Sequence, residues 1–127
     1  AAGEELAKVE GHRGWVEAVA FVGDESGHAV AGGRDGRIIH WDLEAKQKLA
    51  EIEHGGWLRA LAVSSDGRTV YSAGDDRSVA IWDLPTRECR ARLTGHEGGV
   101  NALALCGADG PLVSASADTS LLVWARQ

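Results

Sequence analysis

Residues 64–84, SSDGRTVYSAGDDRSVAIWDL, decide the fold of this chain, because they hold two short apolar runs together with the turns that bound them. Residues 65–67 (SDG) are typical of a turn, and residues 70–73 predict a strand. Residues 75–77 (DDR) predict a tight reversal, after which residues 79–84 predict a returning strand. The stretch is therefore predicted to be a β-hairpin preceded by its approach loop.

The end of this hairpin, Trp82-Asp83, recurs along the chain as Trp41-Asp42 and, in altered form, as Trp124-Ala125. Three residue types share the same period, since histidines recur at intervals of 42 and 42 residues, and tryptophans and aspartates at intervals of 41 and 42. These residues are His12, His54 and His96; Trp41, Trp82 and Trp124; and Asp35, Asp76 and Asp118. A fixed period of this length indicates a repeated structural unit, so the chain is predicted to contain three.

A period of about 40–45 residues that starts with Gly-His and finishes with Trp-Asp resembles the WD-repeat β-propeller family. The resemblance covers essentially all 127 residues. It implies an all-β fold made of propeller blades with four antiparallel strands each, three blades per chain. The blade units would be residues 11–53, 54–94 and 95–127.

The strand pattern supports this interpretation. Residues 16–21, 58–63 and 100–105 are apolar on both faces, as expected for the inner strands nearest a propeller axis. The second, third and outer strands are then predicted at residues 28–31, 70–73 and 112–115; 37–43, 78–84 and 120–124; and 48–53 and 90–94. A further alternating segment, residues 5–10, predicts an outer strand that precedes the first blade.

Three blades cannot close a propeller, because rings usually need roughly four to eight. The last blade also lacks an outer strand of its own, and residues 5–10 of another chain would complete it. The expected partner is therefore the chain itself, in a ring closed by homo-oligomerisation. A homotrimer of nine blades is favoured over a homodimer of six, since the bulk of Trp15 and Trp57 suits a wider axial mouth. An engineered ring, or a piece of a longer propeller with no partner, is the alternative.

Composition limits the function classes. The chain has 44% hydrophobic residues, 19 acidic and 13 basic side chains, and a formal charge of −6, which argues against a nucleic-acid partner. No apolar run approaches the ~20 residues of a membrane helix, so no membrane partner is expected. Cys89 and Cys106 are predicted on an outer and an inner strand, too far apart to bridge, which favours free thiols and a cytoplasmic location.

The recurring polar residues are interpreted as structural. The resemblance implies an Asp-His-Ser-Trp network, formed by His12, Asp35 and Trp41; His54, Ser72, Asp76 and Trp82; and His96, Ser114, Asp118 and Trp124. A catalytic triad would occur once per active site, whereas this set recurs with the fold period and includes an indole N–H that needs a buried partner. Two departures stand out: Ala31 occupies the serine position of the first repeat, and Glu53 stands where a glycine precedes the histidine.

Metal and cofactor sites are not expected. The sequence has no Cys-x-x-Cys and no two closely spaced histidines, and three of its five histidines are used by the network. Gly32, Gly33 and Gly36 are predicted in a hairpin turn and not at a strand-to-helix junction that could hold a phosphate. The chain is accordingly predicted to be non-enzymatic, with no metal and no cofactor.

The remaining candidates lie on the axial face, where the resemblance implies binding of a protein or peptide. They stand at the start of each inner strand or just before the network aspartate: Trp15, Glu17 and Arg34; Trp57, Arg59 and Asp75; and Gly99, Asn101 and Ala117. Tryptophan and arginine are common interface anchors. The tryptophans could instead fill space near the axis or between subunits, and the sequence leaves both interpretations open. A protein-interaction scaffold is the predicted function.

Overall fold

A computed structural model describes residue 3 and residues 8–22, 27–107 and 110–125. Regular secondary structure in these residues is entirely β, in eleven strands. In chain order the strands are β1 (Val16–Phe21), β2 (His28–Gly33), β3 (Arg37–Asp42), β4 (Gln47–Glu53), β5 (Leu58–Val63), β6 (Thr69–Gly74), β7 (Val79–Asp83), β8 (Glu88–Leu93), β9 (Val100–Leu105), β10 (Leu112–Ser116) and β11 (Leu121–Trp124).

The strands form three antiparallel sheets that follow the three repeats. The first sheet has the order β1-β2-β3-β4, the second β5-β6-β7-β8, and the third β9-β10-β11. Each sheet is a meander in which neighbouring strands are joined by short turns, as alternating apolar runs between Gly, Asp and Ser clusters predict. The all-β prediction with antiparallel blades is confirmed. The predicted outer strand at residues 5–10 lies outside the described residues except for its last three, which form no strand within a single chain.

Two apolar clusters hold the three sheets together. Ile38 of the first sheet packs with Leu58 and Trp82 of the second, and Tyr71 of the second sheet packs with Val100 of the third in a separate cluster. Each sheet therefore has two faces, which we call the leading face, on the side of the network tryptophan, and the trailing face on the opposite side. The leading face of the second sheet covers the trailing face of the first, and the third covers the second in the same way.

The prediction that Gly32 and Gly33 lie in the hairpin turn is wrong. Gly32 and Gly33 are the last residues of β2, and only Gly36, with φ 72°, lies in the hairpin turn. A Cβ on Gly33 would lie 1.9 Å from the Trp15 carbonyl oxygen, so the close approach of β1 requires glycine there.

Glu53 does not replace the glycine that precedes His12 and His96. Ile52 pairs with Ile38 in the first sheet just as Leu93 pairs with Val79 in the second. His54 follows Ile52 by two residues, whereas His96 follows Leu93 by three. The connection after the first sheet is therefore one residue shorter, and the glycine itself is absent.

Candidate functional site

In the third repeat, one buried hydroxyl joins two rings. Ser114 Oγ lies 2.6 Å from His96 Nε2 and accepts a hydrogen bond of 2.8 Å from the Trp124 indole N–H. The hydroxyl accepts from the indole and can donate its own proton to the imidazole. The second repeat has a similar arrangement through the other imidazole nitrogen, since Ser72 Oγ lies 2.8 Å from His54 Nδ1 and accepts from Trp82 Nε1 at 2.7 Å.

Both serines are fully buried, which bears on the idea of a nucleophile. Ser72 and Ser114 have no exposed surface, so no substrate reaches either hydroxyl. Each hydroxyl is already used by an imidazole and an indole. In the third repeat the hydroxyl, the imidazole and the indole form a buried hydrogen-bonded network, which orients packed elements, whereas in the second repeat the buried His54 Nε2 has no hydrogen-bond partner among the described residues.

The aspartate of the third repeat fastens this network to the loop before β9. Asp118 Oδ2 accepts the Glu97 N–H at 2.8 Å and lies 3.4 Å from His96 Nδ1, while its Oδ1 accepts the Ser120 N–H at 2.9 Å. Hydrogen bonds from the Ser120 hydroxyl and the Glu97 backbone hold the pKa of Asp118 well below its usual value. The carboxylate therefore stays charged and ties the β10–β11 turn to the preceding loop.

The first repeat lacks the hydroxyl. His12 Nδ1 lies 3.3 Å from Asp35 Oδ2, which also accepts the Arg13 N–H at 3.0 Å. Ala31 occupies the register of Ser72, and within the described part of the chain the buried His12 Nε2 meets no hydrogen-bond partner. Burial raises the pKa of Asp35, but backbone hydrogen bonds outweigh it, and the net shift is downward.

The second repeat differs at its aspartate. Asp76 Oδ2 accepts hydrogen bonds from the Ser78 hydroxyl at 3.0 Å and from Arg92 Nη1 at 3.1 Å, and His54 Nε2 lies 3.7 Å away. Arg92 Nη2 also donates to the His54 carbonyl at 3.2 Å. Burial lowers the pKa of His54, which favours a neutral ring beside the guanidinium.

The candidate interaction residues lie where the inner strands begin, and each of these strands contains a bulge there. Glu17, Arg59 and Asn101 are each the extra residue of such a bulge, because the pairing partners on either side of them are consecutive. A bulge re-aims the side chain that it adds. The sequence pattern identified these positions without predicting the bulges.

Backbone hydrogen bonds fix the candidates in pairs across each sheet. The Arg34 N–H donates to the Trp15 carbonyl at 2.9 Å, and the Asp75 N–H donates to the Trp57 carbonyl at 3.0 Å. The corresponding bond in the third sheet joins the Ala117 N–H to the Gly99 carbonyl at 2.9 Å. The same geometry thus presents a different pair of side chains in each repeat.

The structure brings two of these pairs together through Arg34. Its guanidinium carbon lies 3.8 Å from the ring centroid of Trp15 and 4.3 Å from that of Trp57, so the cation sits between two exposed indoles of neighbouring sheets. Both distances are within the range of cation–π attraction. Sequence reasoning identified all three residues but not this stacking, which depends on how two sheets pack.

Three acidic and basic side chains extend the stack. Glu17 Oε1 lies 3.6 Å from Arg34 Nε, and Arg59 Nε donates to Asp75 Oδ1 at 2.5 Å while its guanidinium carbon lies 5.5 Å from the Trp57 ring. The hydrogen bond to Asp75 raises the pKa of Arg59. Asn101 is exposed on β9 beyond this group. We call the set formed by Trp15, Glu17, Arg34, Trp57, Arg59 and Asp75 the tryptophan–arginine surface.

The other chemistry is limited. Within residues 8–22, 27–107 and 110–125, no three His, Cys, Asp or Glu side chains are grouped so that they could hold a metal ion. Both cysteines are free and exposed, Cys89 on β8 and Cys106 immediately after β9. The described residues form no helix that is long and apolar enough to cross a membrane.

Comparison with known proteins identifies the repeats. A sequence profile described as "WD domain, G-beta repeat" matches residues 3–42, 46–83 and 87–125. The U3 snoRNP-associated protein-like EMB2271 of Arabidopsis thaliana is 37% identical over a match that covers 89% of this chain and 28% of that protein. The methylosome protein WDR77 of Xenopus laevis is 34% identical, with 84% of this chain and 33% of that protein covered.

Solved structures resemble this chain in fold as well. A structure described as that of U3-55K superposes with a TM-score of 0.85 and 27% identity, over 91% of this chain and 37% of that one. The chain spans between about a fifth and a third of the length of the curated relatives it matches.

Proposed function

The chain belongs to the WD40 (G-beta repeat) family, and from this premise we propose that it is a non-enzymatic protein-interaction scaffold. The observation that carries the proposal is the tryptophan–arginine surface, where Arg34 is stacked between the exposed rings of Trp15 and Trp57. The stacking orients these three side chains in the absence of a partner, which lowers the entropy lost on binding. Tryptophan and arginine are also the side chains that most often dominate binding energy.

The proposed ligand is a protein or peptide segment that lies across this surface. Several named relatives belong to assemblies, the methylosome and the U3 snoRNP among them, which supports such a role. The charge of −6 argues against a nucleic-acid partner. Free thiols at Cys89 and Cys106 support a reducing, cytoplasmic setting as part of the proposal.

We further propose that the blades belong to a ring shared by several copies of the chain, with the homotrimer favoured and the homodimer next. The support is that apolar side chains remain exposed on the outer faces of the first and third sheets, Phe21 and Leu121 among them. Such surfaces are costly unless another blade covers them.

A selection experiment tests the interaction role. Peptides selected from a displayed random library against the wild-type chain should bind the Trp15→Ala/Trp57→Ala variant at least tenfold more weakly, because truncation removes the two anchors. Glu88→Ala, on the exposed outer strand β8, is the matched control and should keep full affinity. Equal affinity for all three proteins would contradict the proposal, provided that the variants unfold at the wild-type temperature.

A second candidate is a propeller segment that acts only as a structural building block. It is favoured by the uncovered faces, together with the small share of the relatives that the chain spans. The same selection separates the two candidates, because a building block would yield no peptide that depends on Trp15 or Trp57.

A further inference from the structure

We propose that the leading face of the first sheet is the docking site for the trailing face of the third sheet of a second copy, in a head-to-tail junction. This inference rests on the proposed shared ring and specifies which surfaces form it. In the same junction, residues 8–10 of one copy lie beside β11 of the other as its outer strand. Heterologous contacts of this kind generate rings when the rotation closes and open chains when it does not.

The leading faces of the three sheets are covered to very different extents. Val16, Leu58 and Val100 occupy the same position at the start of the inner strand. Leu58 and Val100 are 0% exposed, because the preceding sheet covers them, whereas Val16 is 54% exposed. Among the residues that the structure describes, no other sheet covers this face of the first sheet.

The trailing faces show the reverse order. Ile38, Val79 and Leu121 occupy the same position at the start of the third strand of each sheet, and their exposed fractions are 1%, 0% and 68%. The following sheet covers the first two, whereas no sheet in the described part of the chain covers Leu121. The uncovered surface of the third sheet is thus the counterpart of the uncovered surface of the first.

Side-chain size matches across the two interfaces already present. A Cβ on Gly32 would lie 3.0 Å from the Leu58 side chain. The larger leucine thus faces a glycine, which has no side chain. In the second interface Ala73 and Val100 share one cluster, an alanine with a valine. Ala115 holds the register of Gly32 and Ala73, and Val16 that of Leu58 and Val100. The proposed junction would repeat the alanine–valine combination without overpacking.

The amino-terminal segment already lies where an outer strand of a preceding blade belongs. Val9 packs against Ala31, Ile39 and Trp41 on the leading face of the first sheet. Leu93, on the outer strand β8, shares a cluster with Trp124 of the next sheet in the same manner. Val9 and Leu93 both stand three residues before a network histidine. Val9 therefore occupies, relative to the first sheet, the position that the outer-strand residue Leu93 occupies relative to the third.

The third sheet has an open edge where such an outer strand could pair. Its strand β11 has neighbours on one side only among the residues that the structure describes. Since Val79 pairs with Leu93 in the second sheet, the same register would set Leu121 of one copy opposite Val9 of the next. An open apolar groove of about 210 Å³, lined by Val9, Val16, Val19, Phe21 and Trp41 among others, would receive the trailing face.

Two charge substitutions test the junction and its polarity. Val16→Asp places a carboxylate on the leading face and Leu121→Asp places one on the trailing face, and each variant alone should shift from the assembled mass to that of a single chain. Mixed in equal amounts, with a tag on one variant, they should form a species with one copy of each and nothing larger. The reason is that one intact leading face and one intact trailing face remain, on different chains.

Other outcomes have distinct meanings. If Leu121→Asp alone still forms a dimer, leading faces pair with each other and the head-to-tail junction is wrong. If wild type assembles but both variants assemble as well, the junction is wrong while the shared ring stands. If wild type is a single chain, the shared ring and the junction both fail. Peptide binding by the single-chain variants, measured separately, decides whether the scaffold role survives.

A matched control separates these effects from general destabilisation. Leu49→Asp adds the same charge to an exposed leucine on the outer strand β4 and should leave the assembled mass unchanged. All variants should keep the wild-type circular dichroism spectrum. A loss of assembly by Leu49→Asp equal to that by Val16→Asp would overturn the inference, because the effect would then not be specific to the face.

Discussion

At the scale of single residues, the serine hydroxyl at the centre of the network distinguishes the second and third repeats from the first. Ser72 and Ser114 each satisfy an imidazole nitrogen and an indole N–H, whereas Ala31 does neither. The result is a buried His12 Nε2 without a partner in the described residues. An unsatisfied buried polar group costs about 1–3 kcal/mol, so the first repeat carries an avoidable cost.

Restoring the hydroxyl should therefore stabilise the chain. Ala31→Ser is expected to raise the free energy of unfolding by about 1 kcal/mol, because the new Oγ can bond both His12 Nε2 and the Trp41 indole. Urea midpoints at constant slope measure this. Ser114→Ala is the matched control and should lose about 1–3 kcal/mol. A destabilised Ala31→Ser variant would mean that the first repeat has no room for the hydroxyl.

The indoles should differ for the same reason. Trp82→Phe is expected to destabilise the chain more than Trp41→Phe. The first substitution removes the indole N–H that donates to Ser72 Oγ, whereas the second removes no described hydrogen bond. Both substitutions remove similar apolar volume from buried sites, so the hydrogen bond is expected to dominate the difference, at about 1 kcal/mol, beside the weaker contact of Arg92 with the Trp82 ring. Equal shifts of the two denaturant midpoints would contradict this account of the network.

A histidine pair should make stability depend on pH. His28 Nδ1 lies 3.2 Å from His40 Nε2, and burial followed by the charge of His28 lowers the pKa of His40 below its usual 6.5, against the opposing effect of Asp42. The unfolded chain then binds the proton first. The contribution of His40 to stability is present above about pH 6.5 and is lost as the pH falls through the folded pKa.

His40→Val tests this pH dependence, since valine occupies the same register as Val123 in the third sheet. Unfolding midpoints between pH 7 and pH 5 should fall less steeply for the variant than for wild type. Some slope will remain, because burial also lowers the pKa of His54. An unchanged slope would show that His40 does not contribute.

At the scale of elements, the inner strands follow the sequence pattern to the residue, at Val16–Phe21, Leu58–Val63 and Val100–Leu105. Apolar side chains mark both faces of these strands, although among the described residues only β5 lies between two sheets. The second strands run longer than predicted: Gly32 and Gly33 suggest a turn, but the close approach of β1 requires glycine within the strand. Propensity alone cannot distinguish these two uses of glycine.

The candidate surface shows a second limit of sequence reasoning. The positions of Trp15, Arg34 and Trp57 follow from the repeat register. The stacking of Arg34 between two indoles depends on the angle between neighbouring sheets and on the bulge that turns Glu17 and Arg59. Neither the angle nor the bulge leaves a signature in local composition, so a single sequence could give the members of this surface but not their contacts.

The amino-terminal segment gives a prediction at the same scale. Deleting residues 1–10 should abolish or strongly weaken assembly, because it removes Val9 and the outer strand proposed to pair with β11 of another copy. Light scattering of the truncated and full chains measures the loss. A truncated chain that keeps the full assembled mass would mean that the ring is closed without this strand.

At the scale of the whole molecule, the number of copies is set by the angle between blades. Rings of seven or eight blades turn by about 45–51° per blade. Two copies would need about 60° per blade and three copies about 40°, so both differ from the angle of these rings and the angle alone does not decide between them. The stack of Trp15, Arg34 and Trp57 adds bulk where the inner strands begin, which a wider ring accommodates with less crowding.

Native mass spectrometry at low salt should therefore give one dominant species of three times the 13.4 kDa chain mass. Each interface between blades would have to absorb a share of the change in angle. A dominant dimer would replace nine blades by six. A series of masses at successive multiples of one chain would mean that the junction forms but the ring does not close. A single-chain mass at all concentrations would refute the shared ring.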